Sequence, residues 1–299
     1  MPTTLSDPDW DDLLALIQEG TCTPFIGAGA CAGTLPLGSQ IAQQWAEEHD
    51  YPLADKTDLA RVAQYLAIAR YDMFPKDCVR RAFRAKPPPD FSAPDEPHAL
   101  LADLNLPIYI TTNYDDFMAR ALRQRGRQPE REFCRWNRFS QMAGDKTVFD
   151  DGFSPSPATP LVYHLHGHLD VPQSMVLTEG DYLDFLIRLS RDQDLLPPCI
   201  RTALAGTSLL FVGYRLMDWN FRVVFRGLVG SLGASLGYTS VAVQLPPGGL
   251  TARERERAQR YLDEYFDKMQ KIKVRIYWGD ARQFAHELRE RWEVRQDET

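Results

Sequence analysis

Glycines and polar residues crowd the points where short apolar stretches end, and these are the residues that could do chemistry. The apolar stretch 24–26 runs into Gly27-Ala28-Gly29-Ala30. A Gly-x-Gly turn between a strand and a helix lets the backbone approach a diphosphate, whose charge is favoured near a helix N-terminus. Ala32 is an acceptable third small residue of a dinucleotide fingerprint. On this motif alone, a tight turn between strand and helix is an equally good interpretation.

A second polar run, Thr111-Thr112-Asn113-Tyr114-Asp115-Asp116, follows the apolar residues 108–110. An Asn or Asp at this point could simply cap the next helix. One residue is enough for a cap, whereas this run supplies five hydrogen-bonding side chains before Asp116. The run therefore favours a role in a site over capping alone.

Three histidines alternate along the chain: His164, His166 and His168. On an extended strand they would share one face, which is an acceptable geometry for metal ligands. Gly167 predicts a bend instead, and the other three histidines of the chain belong to no cluster in the sequence. Three interpretations remain open: a metal site, a structural strand end, and a single catalytic histidine beside a glycine. The last is favoured, and we expect no metal.

Two later apolar stretches also end in glycine and polar residues. One is Phe211-Val212-Gly213-Tyr214, which continues to Asp218, and the other is Tyr277-Trp278-Gly279-Asp280-Ala281. Either could be a simple turn. Several strand ends of this kind together indicate a nucleotide cleft lined by backbone.

The elements that must position these residues are short apolar strands interleaved with helices. Such strands are typical of a parallel sheet that helices cover on both faces. The sequence predicts an α/β fold with a Rossmann-like, doubly wound parallel six-stranded sheet in one domain over 1–299. It predicts a helical segment at 38–105 and an insertion with weak regular structure at 125–160. The expected strands are 24–26, 108–111, 161–165, 209–212, 239–244 and 273–278.

The expected helices are amphipathic. The first is capped by Asp7 and begins with Pro8, whose missing N–H costs nothing at a helix start. The others are expected at about 38–49, 57–70, 75–85, 115–124, 180–190, 194–205, from about 218, 251–269 and 281–293.

Composition excludes several classes of protein. The chain has 299 residues with 41 acidic and 34 basic side chains, a net charge of −7. Its 44% hydrophobic content excludes a disordered chain, and its negative charge argues against general nucleic-acid coating. No stretch is apolar enough to span a membrane, and the acidic N-terminus is unlike a signal peptide. The five cysteines include no Cys-x-x-Cys, which excludes a zinc ribbon, so we expect free thiols in the cytoplasm.

Five motifs in order resemble the sirtuins, and more specifically the sirtuin-like NAD hydrolases of bacterial anti-phage defence. They are Gly-Ala-Gly-Ala at 27–30, Thr-Thr-Asn-Tyr-Asp at 111–115, Leu-His-Gly at 165–167, Phe-Val-Gly-Tyr-x-Leu-x-Asp at 211–218 and Gly-Asp-Ala at 279–281. The resemblance spans residues 25–281. It implies a sirtuin-like fold without a zinc module, since this chain lacks the four-cysteine set of the protein-deacylating members.

The resemblance implies that three residues take part in catalysis on NAD⁺ as substrate. Asn113 would lie beside the nicotinamide ribose, and Asp115 would face the nicotinamide carboxamide. His166 would be the catalytic base near the ribose hydroxyls. NAD⁺ would be hydrolysed to nicotinamide and ADP-ribose.

The resemblance also implies a set of residues that bind NAD⁺. Gly27, Ala28 and Gly29 would hold the diphosphate, Gly213 and Tyr214 would lie near the adenosine ribose, and Asp280 and Ala281 near adenine. Ala30, Thr112 and Asp218 complete the implied binding set.

The family implies regulation as well, because an unrestrained NAD hydrolase would deplete its own cell. We expect a regulatory or sensor protein, or assembly into an oligomer, to gate activity. We expect neither membrane nor direct nucleic-acid binding. Two alternatives use the same cleft: an NAD-dependent protein deacylase or ADP-ribosyltransferase, and a nucleotide-binding regulatory subunit without turnover. The first is weakened because Leu35-Pro36-Leu37-Gly38-Ser39 stands where the deacylating sirtuins carry Asp-Phe-Arg.

Overall fold

A parallel β-sheet forms the centre of the protein. The computed structural model describes residues 5–142, 146–192, 194–215, 239–245, 251–269 and 273–297. In these ranges every strand pairs in parallel, in the order β3-β4-β2-β1-β5-β6-β7. The predicted doubly wound α/β sheet is therefore confirmed. The strands are β1 (Cys22–Ile26), β2 (Ile108–Thr111), β3 (Glu130–Phe133), β4 (Leu161–His164), β5 (Ser208–Val212), β6 (Ser240–Gln244) and β7 (Val274–Trp278).

The sheet has seven described strands instead of the six expected, because β3 lies inside the predicted insertion at 125–160. Its sequence, Glu-Arg-Glu-Phe, shows no apolar run. The strand pairs only along β4, at the edge of the sheet, and an edge strand with one solvated side tolerates charge. A short helix, α7 (Arg138–Met142), follows it, so the insertion contains regular structure.

Helices connect the strands. The first is capped by Ser6, one residue before the predicted Asp7, through a capping box with Asp9. The predicted helix near 218 lies outside the described residues. Besides α7, the described helices are α1 (Asp7–Gln18), α2 (Gly38–Glu48), α3 (Leu59–Ala69), α4 (Phe74–Arg84), α5 (Pro97–Asp103), α6 (Phe117–Gln124), α8 (Glu179–Arg191), α9 (Pro198–Gly206), α10 (Ala252–Met269) and α11 (Ala281–Asp297). None of them is long and apolar enough to cross a membrane.

Side chains alternate across the sheet and fill two hydrophobic cores. Ile26 and Val212 face the core with α1, α5, α6 and α11. Phe25 and Phe211, their neighbours, face the core with α8, α9 and α10. Because both faces are covered, the central strands are apolar along their whole length.

A third core holds α2, α3 and α4 together and extends to Leu169 and Leu177, which follow β4. The carboxyl ends of the strands open toward this helical layer. The chain order reverses between β1 and β5, and ligands of doubly wound sheets bind beyond the strand ends at that point. The fold thus directs attention to the residues after Ile26 and Val212.

Candidate functional site

The loops after β1 and β5 pack backbone against backbone. Gly27 N–H donates to the Val212 carbonyl at 2.9 Å, and Gly29 N–H donates to the Gly213 carbonyl at 2.8 Å. Gly213 has φ +83°, and a Cβ added there would lie 2.3 Å from the Ala30 nitrogen. These glycines are therefore required by the contact between the two loops, whatever binds beside them.

A tyrosine connects the ends of three strands. The Tyr214 hydroxyl donates to the Ile26 carbonyl at 3.0 Å and lies 2.7 Å from the Thr112 hydroxyl, which can donate to it. Gln244 Nε2 donates to the Tyr214 carbonyl at 2.7 Å. Burial raises the pKa of Tyr214 well above its usual value, so the phenol stays neutral. Tyr214 fixes the strand ends around the site.

Asn113 is held through its side-chain Nδ2 and through its backbone. Its Nδ2 donates to the Gly27 carbonyl at 3.1 Å and to Cys31 Sγ at 3.3 Å. Its backbone N–H donates to Thr111 Oγ1, and its carbonyl accepts from His164 Nδ1 at 2.9 Å. Both amide protons therefore have protein partners, and Oδ1 is the side-chain atom left to accept a hydrogen bond from a ligand or water.

A buried polar cluster lies behind Asn113. Cys31 Sγ donates to Asp115 Oδ2 at 3.5 Å and lies 3.8 Å from His98 Nε2. His98 Nδ1 lies 2.7 Å from Glu96 Oε1, and Phe117 N–H donates to Asp115 Oδ1 at 3.0 Å. Burial raises the pKa of Cys31 well above its usual value, with Asp115 adding to the effect. Burial also raises the pKa of Asp115, against the opposing effect of His98.

His166 carries an unsatisfied nitrogen. The residue is 6% exposed, and its Nε2 has no hydrogen-bond partner among the described residues. Its ring packs edge-on against Tyr182 and Phe185 of α8. Burial lowers the pKa of His166 to about 3, so the ring is neutral at pH 7. A buried polar atom without a partner calls for an explanation, and a ligand contact is one.

The other two histidines of the triplet point elsewhere. β4 ends at His164, and Gly167 turns the chain with φ +84°, as the sequence predicted. His164 and His168 then lie with ring centroids 4.6 Å apart. Since His166 packs on α8, the extended arrangement with three histidines on one face does not form.

One cavity of about 1160 Å³ covers these strand ends. Ala28, Gly29, Thr112, Gly213 and Tyr214 of the predicted binding set line it, and so do all three predicted catalytic residues, Asn113, Asp115 and His166. Gly27 and Ala30 lie in the same packed loop but not in the lining.

Charged residues line the cavity mainly on the side of the helical layer. Arg61 pairs there with Asp58 at 3.4 Å and with Glu179 at 3.3 Å. Arg215, which directly follows Tyr214, is exposed and also lines the cavity. The cavity lining therefore includes an arginine that directly follows one of the two packed glycine loops.

Three residues of the predicted set lie apart from the cavity or outside the description. Asp280 and Ala281 follow β7, two strands beyond β5, and are absent from the cavity lining. Asp280 Oδ1 accepts from Arg282 N–H and Gln283 N–H, as a helix cap does. Their proposed contact with adenine stays a prediction, and Asp218 lies outside the described residues.

The buried cluster was not predicted from the sequence. His98 belongs to no cluster in the sequence, yet it lies against Cys31, which is 67 residues away. Its only local signal is the motif Glu96-Pro97-His98, in which Glu96 caps α5. Arg61 and Arg215 were missed as well, because their relevance comes from their positions around the cavity.

Comparison with known proteins identifies the family. The family model of the SIR2-like domain matches residues 107–268, more than half of the chain. A protein of Acinetobacter baumannii (strain 532279) named NAD(+) hydrolase ThsA is 24% identical over 221 residues, which are 70% of this chain and 39% of that protein. The protein of the same name from Cytobacillus dafuensis is 24% identical over 208 residues, 69% of this chain and 38% of its own length.

These matches cover only about two fifths of the relatives' own lengths. A chain from a solved structure of Sir2 enzymes aligns with 98% of this chain and 100% of itself, at 11% identity and a TM-score of 0.42.

Proposed function

The chain belongs to the SIR2-like domain family, and on that premise we propose that it hydrolyses NAD⁺ to nicotinamide and ADP-ribose. One observation carries the proposal: the neutral His166, with its unsatisfied Nε2, lines the same cavity as Asn113 and Asp115. The relatives named NAD(+) hydrolase support the choice of substrate.

The cavity has the size and place that a dinucleotide needs. Small-molecule sites commonly enclose ~300–1,000 Å³, and this cavity of about 1160 Å³ is slightly larger than that range. It lies beyond the carboxyl ends of β1 and β5, where the strand order reverses. Arg215 offers a cation for the diphosphate beside the exposed backbone of Ala28. The nicotinamide end would then reach Asn113 and Asp115.

The reaction breaks a glycosidic bond whose leaving group departs as a neutral pyridine. It therefore needs less acid catalysis than an ordinary glycoside, and its transition state has oxocarbenium character. What the protein must supply is orientation of the leaving group, stabilisation of the ribosyl cation and a positioned water.

His166 suits this reaction because it is neutral. Its burial holds the pKa at about 3, so at pH 7 it places no positive charge beside a forming cation. A neutral imidazole can accept a hydrogen bond from a ribose hydroxyl or an attacking water. The edge-on contacts with Tyr182 and Phe185 fix the ring in place.

Asn113 and Asp115 divide the remaining tasks. The anchored amide of Asn113 leaves Oδ1 to position water or a ribose hydroxyl. Asp115 accepts from Phe117 N–H and Cys31, which fixes its carboxyl group at the cavity wall. There it can hold the nicotinamide carboxamide or, when ionised, stabilise the ribosyl cation.

The test is to incubate the purified chain with NAD⁺ and to resolve nicotinamide, ADP-ribose and the cyclic product. Equal amounts of nicotinamide and free ADP-ribose support hydrolysis. Transfer of the ADP-ribose to an added acceptor, in place of its release, would establish the transferase alternative. Tight NAD⁺ binding without nicotinamide release, even with co-purified partners, would establish a binding subunit.

The biological role proposed here is NAD⁺ depletion in the cytoplasm as the effector of an anti-phage system, gated by a partner protein or by assembly. Gating follows from the chemistry, because an unrestrained enzyme would exhaust the cell's NAD⁺. Candidate contact surfaces are the segment 125–160 and α10, whose sequence is rich in charge. High activity of the purified, monomeric chain would contradict gating without affecting the assignment of the reaction.

A further inference from the structure

We propose that Cys31, His98 and Asp115 form a binding site for Zn²⁺ and that an ion bound there inhibits the enzyme. The three residues are buried, and one ligand atom from each lies within 4.8 Å of the others. The inhibition rests on the proposed function, whereas the binding rests on the geometry alone.

The distances already suit a metal ion. Cys31 Sγ lies 3.8 Å from His98 Nε2 and 3.5 Å from Asp115 Oδ2. Bonds of about 2.3 Å to sulfur and about 2.0–2.1 Å to nitrogen or oxygen, at tetrahedral angles, separate two ligand atoms by roughly 3.5 Å. The two distances from Cys31 Sγ therefore lie within a few tenths of an ångström of those in a zinc site, and the third, between His98 and Asp115, is at most 4.8 Å.

The histidine is prepared to act as a ligand. Its Nδ1 lies 2.7 Å from a Glu96 carboxylate oxygen, and in the tautomer protonated at Nδ1 the ring donates to that oxygen. Nε2 then presents its lone pair toward Cys31. Glu96 is fixed in turn, because its other oxygen accepts the Ala99 N–H at the start of α5. A carboxylate behind a ligating histidine is the common arrangement at zinc sites.

The ligand set and its surroundings favour zinc. One thiolate, one imidazole and one carboxylate match the sulfur, nitrogen and oxygen preferences of Zn²⁺. The ion would offset the negative charge of the two buried carboxyl groups, Glu96 and Asp115, in their ionised forms. Without metal, the Cys31 thiol donates to Asp115, so the free state is also hydrogen-bonded. The site can thus exchange between two satisfied states.

Occupancy would remove groups that the reaction needs. Cys31, Asp115 and Asn113 line the cavity, so the fourth position of the ion is open to it. A bound ion would hold Asp115 away from nicotinamide, and the cysteine thiolate would lie 3.3 Å from Asn113 Nδ2. A bound ion would therefore inhibit the enzyme. The proposed metal site also differs from the expectation of no metal, which came from the histidine triplet.

Binding is tested with Co²⁺ and Zn²⁺ on the purified chain, without NAD⁺. We expect one equivalent of Co²⁺ to give thiolate charge-transfer absorption and the visible bands of a tetrahedral site, and Zn²⁺ to displace it. Cys31→Ser keeps the size and the hydrogen-bond donor but should abolish the thiolate band. Glu96→Gln should weaken Zn²⁺ binding by about 10–100-fold. The control is Cys78→Ser, which changes a half-buried thiol outside the cluster and should bind as wild type does.

Absence of a tetrahedral cobalt spectrum in the wild type, or an unchanged spectrum in Cys31→Ser, would overturn the site. The inhibition is read separately, from NAD⁺ cleavage titrated with Zn²⁺. Wild type and Cys78→Ser should lose activity and regain it with a chelator, and cleavage that is unaffected by a saturating ion would overturn the inhibition. If the metal-free chain cleaves no NAD⁺ with its partners present, the proposed function fails and the inhibition with it, while the spectra still decide the site.

Discussion

Substituting Gly213 with alanine tests whether the two glycine loops are built to pack against each other. A methyl group at this position would lie 2.3 Å from the Ala30 nitrogen and 2.6 Å from the Gly27 oxygen. Both are backbone atoms, so no side chain can turn away to make room. The forced contact should cost about 1–3 kcal/mol, as overpacking of a core does. The left-handed φ of +83° adds about 1–2 kcal/mol for any residue other than glycine.

Gly126 is the matched control because it separates these two costs. Its φ is +76°, and an added Cβ would have no neighbour within 4 Å. Gly126→Ala should therefore lose only about 1–2 kcal/mol, whereas Gly213→Ala should lose about 2–5 kcal/mol. Urea unfolding followed by tryptophan fluorescence gives both values. If the two variants lose the same stability, the packing of the loops is not what requires glycine at 213.

Three further predictions concern Arg215, His166 and the buried ion pair of Lys76. Arg215→Gln should raise KM for NAD⁺ about tenfold with little change in kcat, since the residue would bind the diphosphate equally in the ground state and the transition state. An unchanged KM would show that Arg215 does not bind NAD⁺. Because burial lowers the pKa of His166 to about 3, the unfolded chain takes up a proton first as the pH falls below about 6.5. Stability is therefore lost toward acid, and His166→Gln should lose about 2 kcal/mol less than wild type between pH 7 and pH 5 in urea unfolding; equal losses would contradict the low pKa. Lys76→Met should lower the free energy of unfolding by about 3 kcal/mol, because it leaves the mostly buried Asp181 without its cation at 2.8 Å. Lys146→Met removes an exposed ion pair and should lower it by less than about 1 kcal/mol. Equal losses in the two variants would show that the buried pair contributes no more stability than the exposed one.

The sequence predicted the centre of the fold well because central parallel strands are buried on both faces. Residues such as Phe25 and Ile26 must then both be apolar, and the resulting short apolar runs are visible without a structure. The strand β3 was missed for the opposite reason. At the sheet edge, Glu130 stays exposed and Glu132 pairs with Arg135, so the strand carries charge where the centre carries apolar residues.

Only the parts of the site that a local sequence pattern indicates could be predicted. Asn113 and His166 follow strands, and the carboxyl ends of parallel strands share one edge, so their approach to a common cavity was predictable. Asp280 follows a strand too, but it is absent from the lining of that cavity, and its contact with adenine stays a prediction. The cluster of Cys31 and His98 depends on the packing of α5 against the strand ends, which no local pattern records.

The central claim is that the neutral His166 takes part directly in cleaving NAD⁺, and kcat of His166→Gln against His168→Gln tests it most directly. Both residues are buried in wild type, and both follow β4, but only His166 lines the cavity. Measured with any partner needed for activity, His166→Gln should lower kcat by about 10²–10⁴-fold and still bind NAD⁺. His168→Gln should keep most of the wild-type kcat. Wild-type turnover by a folded His166→Gln variant, or equal losses in both, would contradict the account.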